Sequence, residues 1–177
     1  MKISLAYFVL TSLTLLNAFG LQIGLTGDQK QAPANEWGTV TYNTQISIGL
    51  KNNVKVFTTN QTVQLLVRIK NLSTNEEYGV AVEQAFILTE GLSLVVISPS
   101  GKDISPIFGK SDRFSGTVLW VHPNQTDGFC FGLNEICKMD EVGTYKVILK
   151  MERTTPDRKK MFEIVSNPLF ISVITDK

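Results

Sequence analysis

Between Asp140 and Met151 the chain alternates: Tyr145, Val147, Leu149 and Met151 share one parity, and Thr144, Lys146, Ile148 and Lys150 the other. Period two over so many residues describes a strand with one face buried. Val63, Leu65, Val67 and Ile69 repeat the pattern against Gln64, Arg68 and Lys70. From Trp37 onward strand follows strand with turn residues between, and no window carries a helical stripe. Eight or nine short strands so punctuated predict an all-β domain of two antiparallel sheets packed as a sandwich.

Local signals place the strands. Ile46, Ile48 and Leu50 share a parity within Thr39 to Leu50, Val54 to Phe57 resumes the pattern, and Asn71 to Glu77 is a polar turn cluster. Leu92 to Ile97 is almost continuously apolar and is expected to lie centrally, covered on both faces. Ser98-Pro99-Ser100-Gly101 then predicts a turn, pairing that strand with Lys102 to Ile107 as a hairpin. Further strands are expected at Phe114 to Val121, Phe129 to Leu133, Gly143 to Arg153 and Phe162 to Val173. Asn167-Pro168 removes a ladder hydrogen bond from the last, which implies a bulge, a break or an edge.

Asp140, Gly143 and Tyr145 resemble the tyrosine corner of immunoglobulin-like sandwiches, in which a Tyr near the start of a late strand hydrogen-bonds upstream backbone. The series Val95-Val96-Ile97-Ser98-Pro99-Ser100-Gly101-Lys102, Phe131-Gly132-Leu133 and Gly143-Thr144-Tyr145-Lys146-Val147 is similar to that of macroglobulin-type domains, over roughly Leu92 to Arg153. The resemblance implies an immunoglobulin-like antiparallel β-sandwich of two sheets. It does not transfer protease trapping, because the Cys-Gly-Glu-Gln thioester motif is absent. Small immunoglobulin-like protease inhibitors of bacteria share the same rhythm, but no inhibitory loop matches residue by residue.

Residues 1–20 read as an export signal: Lys2 opens it, Ile3 to Leu16 is mostly apolar, and Ala18-Phe19-Gly20 sets small residues before a cut at Leu21. The apolar run is shorter than a membrane span requires. Residues 21–36, rich in Gly, Gln, Pro and Asn, read as a flexible lead segment, and 37–177 as the single sandwich domain. Loss of Lys2 with the signal leaves basic and acidic residues equal in number. Such a chain offers no field for nucleic acid or anionic lipid, so no nucleic-acid partner and no membrane association after signal cleavage are expected.

The two cysteines of an exported chain default to a disulfide, so Cys130 and Cys137 are expected to be bridged. A loop this short would add about 2.5 kcal/mol. Catalysis needs convergent groups, and His122 is the one histidine, with no Gly-x-Ser-x-Gly elbow. His122, Cys130, Cys137 and Met139 are soft-metal ligand types, but a blue-copper centre takes two histidines and zinc knuckles a tighter cysteine spacing. No catalytic, cofactor or metal residue is assigned.

Trp120 to Phe131 is the best candidate interaction segment: His122, Asn124, Asp127 and Phe129 would be available, with Trp120 and Phe131 in the core. Sequons occur at Asn60, Asn71 and Asn124. The expected function is a secreted or periplasmic, non-catalytic module binding a protein or glycan. A protease inhibitor presenting Arg153 to Lys160 is the alternative, and a hydrolase using His122 the third.

Overall fold

A computed structural model describes residues 22–25, 36–82, 91–106, 117–155 and 159–176. The signal and its cut, most of the lead segment, and the Pro156-Asp157-Arg158 tip lie outside these residues. The chain is all-β, with antiparallel sheets. One sheet runs in the order β1 (Gln22–Ile23), β8 (Thr126–Gly132), β4 (Gln64–Asn71) and β2 (Thr44–Leu50). The other is built on β9 (Gly143–Thr154). Along one flank of β9 lies β6 (Leu92–Ile97); along the other, β10 (Met161–Val165) and β11 (Leu169–Ile174) follow in succession. At its far edge β3 (Val56–Thr58) runs parallel to β11. A separate ribbon pairs β5 (Tyr78–Val82) with β7 (Thr117–Val121).

The alternation read from the sequence is the packing. Tyr145, Val147, Leu149 and Met151 point inward to meet Leu65, Val67 and Ile69 of β4, Ile46 and Ile48 of β2, and Phe129 and Phe131 of β8 in one buried cluster. Truncating a buried aromatic such as Phe131 to Ala removes about 3–5 kcal/mol. Two contacts anchor the start of β9. The Tyr145 hydroxyl donates to the Glu141 carbonyl at 2.9 Å and accepts the Glu141 N–H at 2.8 Å. Gly143 sits at φ +136°, where a Cβ would lie 2.6 Å from Pro99. A side chain there would displace the turn beneath it. That turn closes through Gly101 N–H to Ser98 O at 2.9 Å and Ser98 N–H to Lys102 O at 2.8 Å.

Several expectations need correcting. β6 flanks β9 instead of lying centrally: Leu92, Leu94 and Val96 are buried, Ser93 is exposed and Val95 is half-covered. A continuous apolar run does not distinguish full burial from a flank strand with one face half covered. The hairpin after it forms, but among the described residues its return arm pairs only through the Ile97–Asp103 bridge and the Ile104 N–H to Val96 O bond at 2.9 Å. The final strand does break at Asn167-Pro168, and the break has a use. The Asn167 side-chain amide accepts from the Ile48 N–H at 3.1 Å and donates to the Ile48 carbonyl at 3.3 Å, tying the second sheet to the edge of the first.

The lead segment is partly built in: Gln22 and Ile23 pair with β8, and Leu25 buries against Leu66 and Cys130 on the outer face of the first sheet. On the same face Arg68 is buried, bonded to Glu36 and to Ser47 Oγ at 3.2 Å each, with its guanidinium 5.9 Å from the Trp37 ring centre.

Cys130 and Cys137 are free, not bridged. The strand pleat explains it: Phe129 and Phe131 face the core, so Cys130 between them faces outward, whereas Cys137 lies in the core. Thiols on opposite faces of a sheet cannot meet without moving backbone.

Three outcomes follow. Tyr145→Phe should lower unfolding free energy by about 1–2 kcal/mol, read as a fall in the urea midpoint, because one hydroxyl serves two backbone groups. Burial pushes the Cys137 thiol up from 9.0 to about 12, and Cys130 is raised for the same reason. The folded chain holds these protons more tightly, so their contribution is complete below about pH 9 and is lost as pH climbs toward 12. Melting temperature should decline over that window, less steeply in a Cys130→Ala, Cys137→Ala variant. Alkylation should require denaturation and then add two adducts with or without reductant.

Candidate binding cleft

The inward rows of four strands end in polar residues at the same edge of the core. β2 begins with Thr44, β4 ends with Asn71 directly opposite it, β5 begins with Tyr78, and Arg153 extends the inward parity of β9. Apolar packing stops there and a cleft of about 360 Å³ opens, lined by Tyr42, Asn43, Glu76, Tyr78, Arg153 and Phe162.

Each wall is held in place locally. Thr41 and Thr44 exchange two backbone hydrogen bonds of 2.9 Å around Tyr42 (φ +46°) and Asn43 (φ +56°). Positive φ at both central residues marks a mirror-image hairpin turn, whose usual occupants are Asn, Asp and Gly. Asn43 suits it; a bulky Tyr42 is strained in it. The Tyr42 ring stacks on Phe162 with centroids 4.2 Å apart, yet it remains 58% exposed. Strain of this kind persists where surroundings enforce it and concentrates at ligand sites.

Opposite, Asn71 is fully buried and organises the loop after β4. Its Nδ2 donates to Glu76 O at 2.7 Å and Val121 O at 3.1 Å, and its Oδ1 accepts from Ser73 N–H at 2.9 Å. Ser73 Oγ accepts the Glu76 N–H at 3.0 Å. Glu76 and Glu77 are thereby presented on a fixed loop. The Arg153 guanidinium lies 3.8 Å over the Tyr78 ring and takes no hydrogen-bond acceptor among the described residues. Burial lowers its pKa, opposed by Tyr78 and Glu76. Burial raises that of Tyr78, opposed by a hydrogen bond with Thr44 and by Arg153.

The residues expected at an interaction loop scatter. His122 is exposed, with Nδ1 at 2.8 Å from Glu77 Oε2, and Asn124 (φ +57°) donates its N–H to Ser73 O at 3.1 Å. These two abut the loop that walls the cleft. Asp127 is structural: its Oδ1 accepts the N–H groups of Leu25 and Gly128 at 2.9 Å each. Phe129 is wholly buried in the core, which corrects its assignment to a binding surface. Trp120 corrects the opposite expectation, being 55% exposed on β7. It faces Gly79 across the ribbon, where a Cβ would lie 2.5 Å from Val118 and 3.5 Å from the indole.

His122, Cys130, Cys137 and Met139 are dispersed among surface, outer face and core, and no three metal-ligating side chains cluster among the described residues. Arg153 and Thr154, read in the sequence as part of an extended inhibitory loop, are ladder residues paired with Phe162 and Met161.

Tyr42, Tyr78 and Phe162 were not singled out in the sequence, and Arg153, placed at the end of a strand, was considered for a site only as the start of an inhibitory loop. One signal was readable: Arg153 continues the buried parity of Tyr145 to Met151, so a charge was due at the end of a core-facing row.

No protein-family model matches the chain, and no curated protein matches it in sequence.

The sequons separate by burial. Asn60 and Asn124 are exposed, whereas both polar atoms of Asn71 are bonded inside the protein. Passed through a eukaryotic secretory pathway, the folded product should carry glycans at Asn60 and Asn124 and none at Asn71. Peptide mass spectrometry after glycosidase treatment reads the difference.

Proposed function

We propose that this chain is an exported, non-catalytic binding module of the immunoglobulin-like sandwich type. It takes a protein or glycan ligand in the envelope or outside the cell through the cleft between Tyr42 and Arg153. The observation that carries the reading is Tyr42: a bulky aromatic in a strained left-handed turn, stacked on Phe162 and still open to solvent. Nothing in folding alone calls for an exposed aromatic at a position suited to Asn or Gly. Beside it, Arg153 holds donors that take no acceptor among the described residues, and Glu76 and Asn43 supply acceptors. Concave sites that combine an aromatic face with a few placed polar groups are the usual form of a ligand site. The reading of Asp140, Gly143 and Tyr145 as a tyrosine corner agrees with the two Tyr145 bonds, which reach the backbone of Glu141, and supports the sandwich type.

The test uses the secreted chain against arrayed oligosaccharides and extracellular proteins. Tyr42→Asn removes the ring while keeping a residue at home in the turn, and Phe162→Leu removes the stacking partner. Both should stay folded by circular dichroism and lose affinity at least tenfold. A ligand bound equally well by both variants would move the site elsewhere.

A further inference from the structure

We infer that the ligand of this cleft is an uncharged saccharide; the inference rests on the binding role proposed above and narrows its chemistry. Charges of both signs face the cleft. Arg153 lies on the Tyr78 ring, Glu76 lines the same cleft, and Glu77 Oε2 lies 2.8 Å from His122 Nδ1. An anion would meet Glu76 and Glu77, and a cation would meet Arg153. Either would face a like charge in the same cleft, and each would have to shed its water. A polyhydroxyl ligand has no such difficulty, because every hydroxyl both donates and accepts. Arg153 can donate to it, while Glu76 and the Asn43 side chain can accept from it.

The remaining feature of a sugar is its apolar C–H face, and the exposed Tyr42 ring supplies a flat, rigid surface of matching kind, held by Phe162. The cleft is at the small end of ligand-site volumes, which suits a short stretch of chain. It is not a closed pocket for one small molecule. Arg153 and Thr154 also line an open groove of about 690 Å³ toward Gly91 and Met161, so a longer chain can run on past the cleft.

The experiment is titration calorimetry, with saturation-transfer NMR, on the full secreted chain. The probes are neutral hexose and N-acetylhexosamine hexamers, matched hexuronate and glucosamine hexamers, and a proline-rich peptide panel. At least one neutral hexamer should bind, with saturation transfer to Tyr42. Its Kd should rise at least tenfold in Tyr42→Asn and in Arg153→Gln, and stay within twofold in Trp120→Ala. Tighter binding of a charged hexamer than of its neutral match would overturn the inference and leave the binding role standing. So would Tyr42-dependent binding of peptides alone. Should no probe bind, or should binding ignore Tyr42 and Arg153, both the inference and the cleft as a site are overturned.

Discussion

The inward row of β9 is the constraint on which the other elements depend. Tyr145, Val147, Leu149 and Met151 lie in the core, and the same strand carries ladders on both flanks, to β6 on one side and to β10 and β11 on the other. A strand buried on one face and paired on both edges leaves its neighbours little choice of register, because a slip of one residue would turn every apolar side chain to solvent. Its start is fixed by the Tyr145 hydroxyl on Glu141 and by Gly143 against Pro99, which also fixes the turn between β6 and its return arm.

The same row produces the cleft. Period two carries the inward parity from Met151 to Arg153, so the row that builds the core ends by pointing a guanidinium at it. The cation lies over Tyr78 at the rim, where burial is incomplete. Thr44 and Asn71, paired across β2 and β4, end their rows at the same edge. Buried polar groups are tolerated when their hydrogen bonds are made. Asn71 makes three and shapes a loop with them. Arg153 takes no acceptor among the described residues, and that difference underlies the proposal that it serves a ligand.

Sequence reasoning failed where face mattered more than pattern. Cys130 and Cys137 are close in the chain, yet the pleat sends one outward and leaves the other in the core. Phe129 was expected to open a strand and remain available at an interaction loop, but β8 begins at Thr126 and buries it. Trp120 was taken for core because large aromatics usually are. Its strand pairs with β5 alone, in a two-stranded ribbon whose outer face is open at Val118 and Trp120.

By itself the sequence determined the all-β class, the parity of β4 and β9, the turn at Ser98 to Gly101 and the break at Asn167-Pro168. These are local matters: alternation, φ preference and a missing N–H act within a few residues. Tertiary structure alone decided which rows end together and which aromatics stay exposed. Tyr42 and Phe162 are 120 positions apart, and so distant a pairing leaves no periodic trace. It depends on the hairpin turn before β2 closing over the edge of β10, which happens because both sheets bury their inward rows in one shared core.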